Sequence, residues 1–242
     1  ATLGADLCQI YTDVDGVYTA DPRIVKNARK IDEIIYDEML ELATSGAKVL
    51  HNRSVEMAKK YGVELVVRSS LTSEEGTVVK EVVKMEKMLI TGVAADRNTV
   101  RISAIGVKDE PGIAFKLFNT LARNNINVDI ILQSVGRNGT KDISFTVSED
   151  DLQEALQILE EKKDVLTIKE ITYSTDVAKV SIVGAGMLSN PGVAAKMFES
   201  LFNSNINISM ISTSEIRITV LIDEKDTEKA MIAIHDGFGL ND

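Results

Sequence analysis

The chain has 242 residues, of which 44% are hydrophobic, 27 are Lys or Arg and 37 are Asp or Glu, so its net charge is -10. This length suits one large domain or two to three small ones. The acidic balance disfavours nucleic-acid binding, and no apolar run approaches the ~20 residues that a membrane span needs. The single cysteine, Cys8, excludes an internal disulfide and fits a reducing, cytoplasmic compartment.

The first region alternates strands and helices, which is typical of an α/β layer. Its predicted elements are a buried strand at 6–12, a short strand at 31–35, a helix at 36–44, a helix that ends at Gly62 and a strand at 63–70. Cys8 is expected to be a small buried hydrophobic residue. Residues 73–87 are charged and predict a connector. About three strands are too few for a stable sheet, so we expect the chain to start inside a domain.

The second region contains an internal repeat. Residues 109–134, DEPGIAFKLFNTLARNNINVDIILQS, align without a gap with residues 189–214, SNPGVAAKMFESLFNSNINISMISTS. Each copy has a strand before it and a Pro-Gly turn at the start of a helix with one apolar face. The pattern predicts one structural unit used twice, with the strand and helix order βαββαβ of a ferredoxin-like fold.

The second unit is one strand short. An apolar segment at 87–95, KMLITGVAA, precedes the first unit and has no partner there. We predict that this strand completes the sheet of the second unit, because the sheet would otherwise keep an uncovered edge. The first unit is then inserted into the second.

A polar stretch, YTDVDGVYTADPR, follows the first strand. The spacing excludes calcium binding by an EF-hand. Counted from Asp13, the glycine of this stretch comes too early, and the twelfth position, where an EF-hand has Glu, is Ile24. Two readings stay open, a plain polar turn and a nucleotide site. The second is favoured by the position after a strand of an α/β sheet, with Tyr18 for a purine face and Arg23 for phosphate.

Three segments together resemble the aspartate kinase family: GADLCQIYTDVDGVYTADPRIV, EMLELATSGAKVLHNRSVEMAKKYGV, and the pair NINVDIILQS and NINISMISTSEIRITVLI. The resemblance covers essentially the whole chain. It implies α/β and α+β folds, with a partial amino-acid-kinase (carbamate-kinase-like) domain at 1–82 and two ferredoxin-like ACT domains. The first ACT domain occupies 99–174, and the second ACT domain occupies 87–98 plus 175–242. Asn52 departs from the Pro that this family usually carries after the histidine.

The resemblance implies ATP-dependent phosphorylation of the β-carboxylate of L-aspartate, with Mg²⁺ accompanying ATP and no prosthetic group. That reaction opens lysine, threonine and methionine biosynthesis. The implied ATP-binding residues are Thr12, Asp13, Tyr18, Arg23 and Lys48. The family's catalytic lysine, its phosphate-binding glycines and its aspartate-binding residues have no counterparts here. We therefore expect the 242 residues alone to be inactive.

The resemblance also implies that lysine, threonine or both bind between paired ACT domains. Helix starts after the two Pro-Gly turns suit an α-carboxylate, because backbone N–H groups and the helix dipole favour an anion there. The implied effector residues are Asp109, Gly112, Ile113, Ala114, Asn127, Asp129, Gln133, Gly192, Val193, Ala194, Asn207, Ile208, Thr213 and Ser214. Simple turn geometry explains any one of them equally well.

Three functions stay open on the sequence. The first is the carboxyl-terminal part of an aspartate kinase, and the second is a non-catalytic subunit that binds lysine or threonine. The third is a structural tandem for dimerisation, and a dimer or larger homo-oligomer is expected in each case. No metal site is predicted, since His51 and His235 are the only histidines. One is expected to belong to the kinase motif and the other to lie at the surface.

Overall fold

A computed structural model describes residues 2–47, 49–83, 89–136 and 138–241. The chain divides into two compact units. One consists of residues 97–178 and 223–225, and the other takes in the remaining described residues, from the first region and from the second repeat.

The described residues of the first region form six strands and two helices. In chain order these are β1 (Leu7–Thr12), β2 (Val17–Tyr18), β3 (Lys30–Ile31), β4 (Glu33–Ile35), α1 (Tyr36–Thr44), α2 (Asn52–Tyr61), β5 (Glu64–Ser69) and β6 (Thr77–Lys80). Four strands form one sheet in the order β1-β5-β6-β4, and β2 and β3 form a separate antiparallel pair. The strands β1 and β5 run parallel, so their carboxyl ends meet at one edge.

α1 begins and ends where the sequence predicts, and α2 ends at the predicted Gly62. Met39 and Leu42 lie three residues apart on α1 and are buried, as are Val55 and Ala58 on α2. This spacing places each pair on one helix face against the sheet. Gly62 ends α2 in the left-handed conformation that glycine tolerates, with φ of 63°.

Three predictions for this region are wrong. β1 is an edge strand with mostly exposed side chains rather than a buried strand, and Cys8 is exposed. The predicted strand at 31–35 is two strands in different sheets. The predicted connector contains β6, which pairs with both β5 and β4 and gives the sheet its fourth strand. Each outcome depends on pairing between segments far apart in sequence.

The repeats contain the remaining elements. These are β7 (Gly92–Asp96), β8 (Val100–Lys108), α3 (Ile113–Ala122), β9 (Ile131–Gln133), β10 (Thr140–Val147), α4 (Leu152–Glu161), β11 (Glu170–Ser174), β12 (Val177–Val183), a 3₁₀ helix (Ala185–Ser189), α5 (Val193–Asn203), β13 (Met210–Thr213), β14 (Arg217–Asp223), a 3₁₀ turn (Glu224–Asp226) and α6 (Thr227–Phe238).

The two repeats have the same sheet topology. The first repeat orders its strands β11-β8-β10-β9, and the second orders them β13-β14-β12-β7. β7 pairs antiparallel with β12, so the strand that precedes the first repeat completes the sheet of the second. The domain boundaries that the sequence suggests stay a prediction.

Each repeat has its own hydrophobic core beneath the predicted helix face. In the first, Leu117 and Leu121 of α3 are fully buried in a cluster with Phe145. In the second, Met197 and Leu201 of α5 are buried in the same way. Of the helices that the structure describes, none combines the length and the apolar character of a membrane-crossing segment.

Candidate functional site

The polar stretch after β1 lies at the carboxyl edge of the parallel strands. The carbonyl oxygen of Thr12 accepts hydrogen bonds from the backbone N–H of Ser70, at 2.9 Å, and from its hydroxyl, at 3.1 Å. The ends of β1 and β5 are therefore joined directly. In open α/β sheets, ligands bind at such carboxyl edges.

The candidate nucleotide side chains take part in local hydrogen bonds. The Thr12 hydroxyl donates to Asp13 Oδ1 at 2.9 Å, and the Tyr18 hydroxyl donates to Asp15 Oδ1 at 3.0 Å. Burial and the neighbouring Asp15 carboxylate raise the pKa of Tyr18 above its ordinary value. Tyr18 therefore stays a protonated hydrogen-bond donor at neutral pH.

Arg23 is held at the surface by a neighbouring carboxylate. Its Nη2 lies 2.7 Å from Asp21 Oδ2, and 88% of the Arg23 side chain is exposed. The hydrogen bond from Arg23 lowers the pKa of Asp21 below its ordinary value, and burial opposes this effect. Because the pair is exposed, it contributes little to stability, and the guanidinium is open to an incoming phosphate.

The loop between β2 and β3, which carries Arg23, is anchored on the second repeat. Ala20 and Val25 are buried in the hydrophobic core of that repeat. The Thr19 hydroxyl lies 2.9 Å from Nε2 of His235 in α6, and Asn27 donates to Asp236 at 3.2 Å. One side of the loop is therefore exposed while the other belongs to the core of the second repeat.

His235 is fully buried, so the prediction of a surface histidine is wrong. His51 is exposed, and its Nδ1 accepts a hydrogen bond from the N–H of Arg53 at the start of α2. Lys48, the remaining candidate for ATP binding, lies outside the described residues. Among the described residues, no group of three or more His, Cys, Asp or Glu side chains has the geometry to hold a metal ion.

The two candidate effector turns have the same backbone geometry. Gly112 starts α3 with φ of 88°, and Gly192 starts α5 with φ of 96°. Neither glycine offers a side chain to cap its helix, and the first turn of a helix leaves backbone N–H groups without intrahelical acceptors. The first helical residues, Ile113 and Val193, point into the cores, while Ala114 and Ala194 are half-buried.

The polar effector candidates lie at the surfaces of their own repeats. Asp109 Oδ1 pairs with Lys141 Nζ at 3.0 Å, so an effector ammonium would share this carboxylate with a lysine. Ile208 is half-buried. The remaining candidates with polar side chains are exposed: Asn127, Asp129, Gln133, Asn207, Thr213 and Ser214.

Two acidic residues of α1 contact the second repeat and were not predicted from the sequence. Glu38 accepts a hydrogen bond from the N–H of Ala185 at 2.7 Å, and Glu41 Oε2 lies 3.1 Å from Arg217 Nη1. Both carboxylates lie on the helix face next to the buried residues, three positions apart. An acidic residue within an apolar helix face is the signal that would have marked Glu38.

Known families match both regions. A model of the amino acid kinase family matches residues 1–69, and a model of the ACT domain matches residues 100–162 and 180–238. The fold and these matches define a protein that joins amino-acid-kinase sequence to two ACT domains. A curated aspartokinase of Bacillus sp. (strain MGA3) is 50% identical over 242 residues, which are 100% of this chain and 59% of that protein. The chain belongs to the aspartokinase family.

Solved structures agree with this family. Two structures of E. coli aspartokinase III, one in complex with aspartate and ADP and one with lysine and aspartate, have TM-scores of 0.84 and 0.77 at 28% and 29% identity. They match 97% and 98% of this chain, which covers 53% of each. The ligand-free regulatory subunit of aspartate kinase from Thermus thermophilus is 44% identical, with a TM-score of 0.59, over 62% of this chain and 99% of that one. The chain spans about three fifths of the length of the curated relatives it matches.

Proposed function

We propose that this chain supplies the nucleotide loop and the regulatory domains of an aspartokinase. The reaction transfers the γ-phosphate of ATP to the β-carboxylate of L-aspartate and yields 4-phospho-L-aspartate, the first step toward lysine, threonine and methionine. The observation that carries the proposal is the position of the Thr12–Arg23 stretch at the carboxyl edge of β1 and β5.

Phosphoryl transfer requires positioning and charge stabilisation rather than covalent chemistry from the protein. In our proposal Thr12 and Asp13 contact the nucleotide, Tyr18 lies beside it, and Arg23 leaves Asp21 to face the phosphates. Lys48 adds positive charge, and ATP arrives as its Mg²⁺ complex. Aspartate itself needs groups that neutralise two carboxylates, and the resemblance assigns none of these to residues 1–82. We therefore expect the 242 residues alone not to phosphorylate aspartate.

The regulatory part of the proposal concerns the two glycine turns. Lysine, threonine or both would place a carboxylate against the N–H groups after Gly112 or Gly192, since helix starts favour anions. The remaining effector candidates would provide directional hydrogen bonds. Paired ACT domains imply a homodimer or a larger assembly. A cytoplasmic location is an expectation from the single cysteine.

Regulation of the kinase would act through the loop that carries Arg23. Ala20 and Val25 of this loop are buried in the core of the second repeat, so a shift of that repeat would displace the nucleotide loop. Coupling of this kind is typically ~1–3 kcal/mol.

A second candidate is a non-catalytic regulatory subunit that binds the amino acid and assembles with a kinase chain. It is favoured by the match to the Thermus thermophilus regulatory subunit, of which this chain covers 99%. In that case the nucleotide loop would have no role in turnover.

The decisive assay places this chain behind the amino-terminal segment that the curated relatives carry and measures acyl-phosphate formation from ATP and aspartate. Activity that requires both substrates is expected, and its absence would leave the regulatory-subunit proposal in place. Calorimetry of the chain with lysine, threonine and, as a control, alanine then tests the effector site. If neither lysine nor threonine binds, the sensor proposal is wrong for these ligands.

A further inference from the structure

Thr77 connects the two strands at the base of the nucleotide loop. Its Oγ1 accepts a hydrogen bond from the N–H of Val17, at 2.7 Å, and donates one to the carbonyl oxygen of Ile31, at 2.6 Å. Val17 belongs to β2 and Ile31 to β3, and they are paired in the short sheet. A single hydroxyl therefore satisfies one group from each strand.

The site around Thr77 is closed to water. Thr77 is 0% exposed, and a Cβ added at Gly16 would lie only 2.6 Å from Thr77 Oγ1. Glycine at position 16 thus lets the backbone of the polar stretch approach the hydroxyl. Buried backbone groups that lose their hydrogen-bond partner are costly, so this geometry depends on the hydroxyl.

A second contact fastens the same segments from the surface. Lys30 of β3 donates from Nζ to the carbonyl oxygen of Glu75 at 2.9 Å, and its Nζ lies 3.5 Å from Glu74 Oε2. The segment 74–77, which lies in the predicted connector, thus holds the β2–β3 pair at two points. Tyr18 lies in β2, and Arg23 lies in the loop that β2 and β3 carry.

We propose that Thr77 is a positioning residue for the nucleotide loop, with no contact to ATP itself. The inference rests on the proposed function of residues 12–23 as the ATP site. A hydroxyl is required because the site needs one acceptor and one donor at the same atom, and serine provides both whereas valine provides neither.

The test compares Thr77→Val with Thr77→Ser in the complete polypeptide, in which the amino-terminal segment of the relatives precedes this chain. Thr77→Val is expected to raise the KM for ATP roughly tenfold, since two buried hydrogen bonds are lost. The KM for aspartate should change less than about twofold, and Thr77→Ser should restore the KM for ATP. Equal rises of both KM values, or the same KM for ATP in both variants, would overturn the proposal.

Thr219→Val is the matched control. Thr219 is 2% exposed, and its hydroxyl lies 2.8 Å from that of Ser181 in the second repeat. This variant also removes a buried hydroxyl, so it should lower the melting temperature without a selective change in the KM for ATP. A tenfold rise in this control would mean that general destabilisation explains the Thr77 result.

Amide hydrogen exchange separates this inference from the proposed function. If the complete wild-type polypeptide has no kinase activity, the proposed function fails, and exchange in the 242-residue chain still decides the structural role. Thr77→Val should accelerate exchange in peptides that cover 13–31 relative to Thr77→Ser, because Val17 N–H loses its acceptor. Unchanged exchange would contradict the role assigned to Thr77.

Discussion

The Glu38 carboxylate accepts a hydrogen bond of 2.7 Å from the backbone N–H of Ala185. Glu38 is only 9% exposed and lies in α1, while Ala185 begins the 3₁₀ helix before the turn at Gly192. A residue of the first region therefore holds the start of the segment that leads to the candidate effector turn at Gly192. Hydrogen bonds to charged groups are among the stronger ones in proteins.

Glu38→Ala is predicted to lower the free energy of unfolding by about 1.5–3 kcal/mol, since the partly buried N–H of Ala185 loses a charged acceptor. Glu38→Gln keeps an oxygen in the same place and should cost less. Urea denaturation of both variants measures the difference. Equal losses in the two variants would show that the carboxylate oxygen makes no net contribution.

The ion pair between Glu41 and Arg217 is predicted to contribute about 0.5–1 kcal/mol in a double-mutant cycle at low salt. Their side chains are 27% and 19% exposed, so solvent screens the pair only in part. The exposed pair Asp223–Lys225 is the control and should give a coupling energy near zero. A Glu41–Arg217 value no larger than the control would contradict the prediction.

Stability is predicted to fall as the pH drops below about 6.5, because His235 is buried. Burial lowers its pKa below the ordinary value of 6.5, and Arg29 acts in the same direction while Asp236 opposes both. The unfolded chain then binds the proton that the folded chain resists, so stability is present above 6.5 and is lost as the pH falls toward the lowered pKa.

Melting temperatures between pH 7.5 and pH 5 check this prediction in wild type and two variants. His235→Gln should flatten the pH dependence, whereas Thr219→Val, which removes no titratable group, should leave it as in wild type. The same slope in wild type and His235→Gln would assign the acid sensitivity to other groups.

Gly46→Ala is predicted to cost about 3 kcal/mol or more, since strained backbone and overpacking act together. Gly46 has φ of 110°, and an added Cβ would lie 2.0 Å from the carbonyl oxygen of Ala95 in β7. Gly62→Ala is the control, because Gly62 also has a positive φ but open space around it. The control should cost about 1–2 kcal/mol. If urea denaturation gave similar losses of stability for Gly46→Ala and Gly62→Ala, β7 would be able to move away from the added Cβ without an energetic cost.

Local patterns predicted the helices and the repeats. The spacing of Met39 and Leu42 on α1, and the glycine after α2, depend only on neighbours within one or two helical turns. Both predicted Pro-Gly turns precede a helix, and the structure adds that their glycines have the left-handed geometry that glycine adopts without strain. Roles for the side chains around these turns stay predictions.

Environments set by distant segments were predicted wrongly. The residues around Cys8 have the composition of a buried strand, yet β1 lies at the edge of its sheet and leaves the Cys8 thiol exposed. His235 is polar and looked like a surface residue, yet it lies against Thr19, 216 residues away. The segment 73–87 is charged overall, and its GTVVK run is the signal that would have marked β6.

The amino-acid sequence by itself determined the aspartokinase resemblance, the two βαββαβ repeats and the glycine turns. Each of these features depends only on the local spacing of residues or on the alignment of one segment with another. Only the tertiary structure decided that Thr77 joins β2 to β3, that Glu38 reaches Ala185, and that His235 is buried. Those contacts link residues 46 to 216 positions apart. Their geometry is set by how sheets and helices pack, which no local pattern encodes.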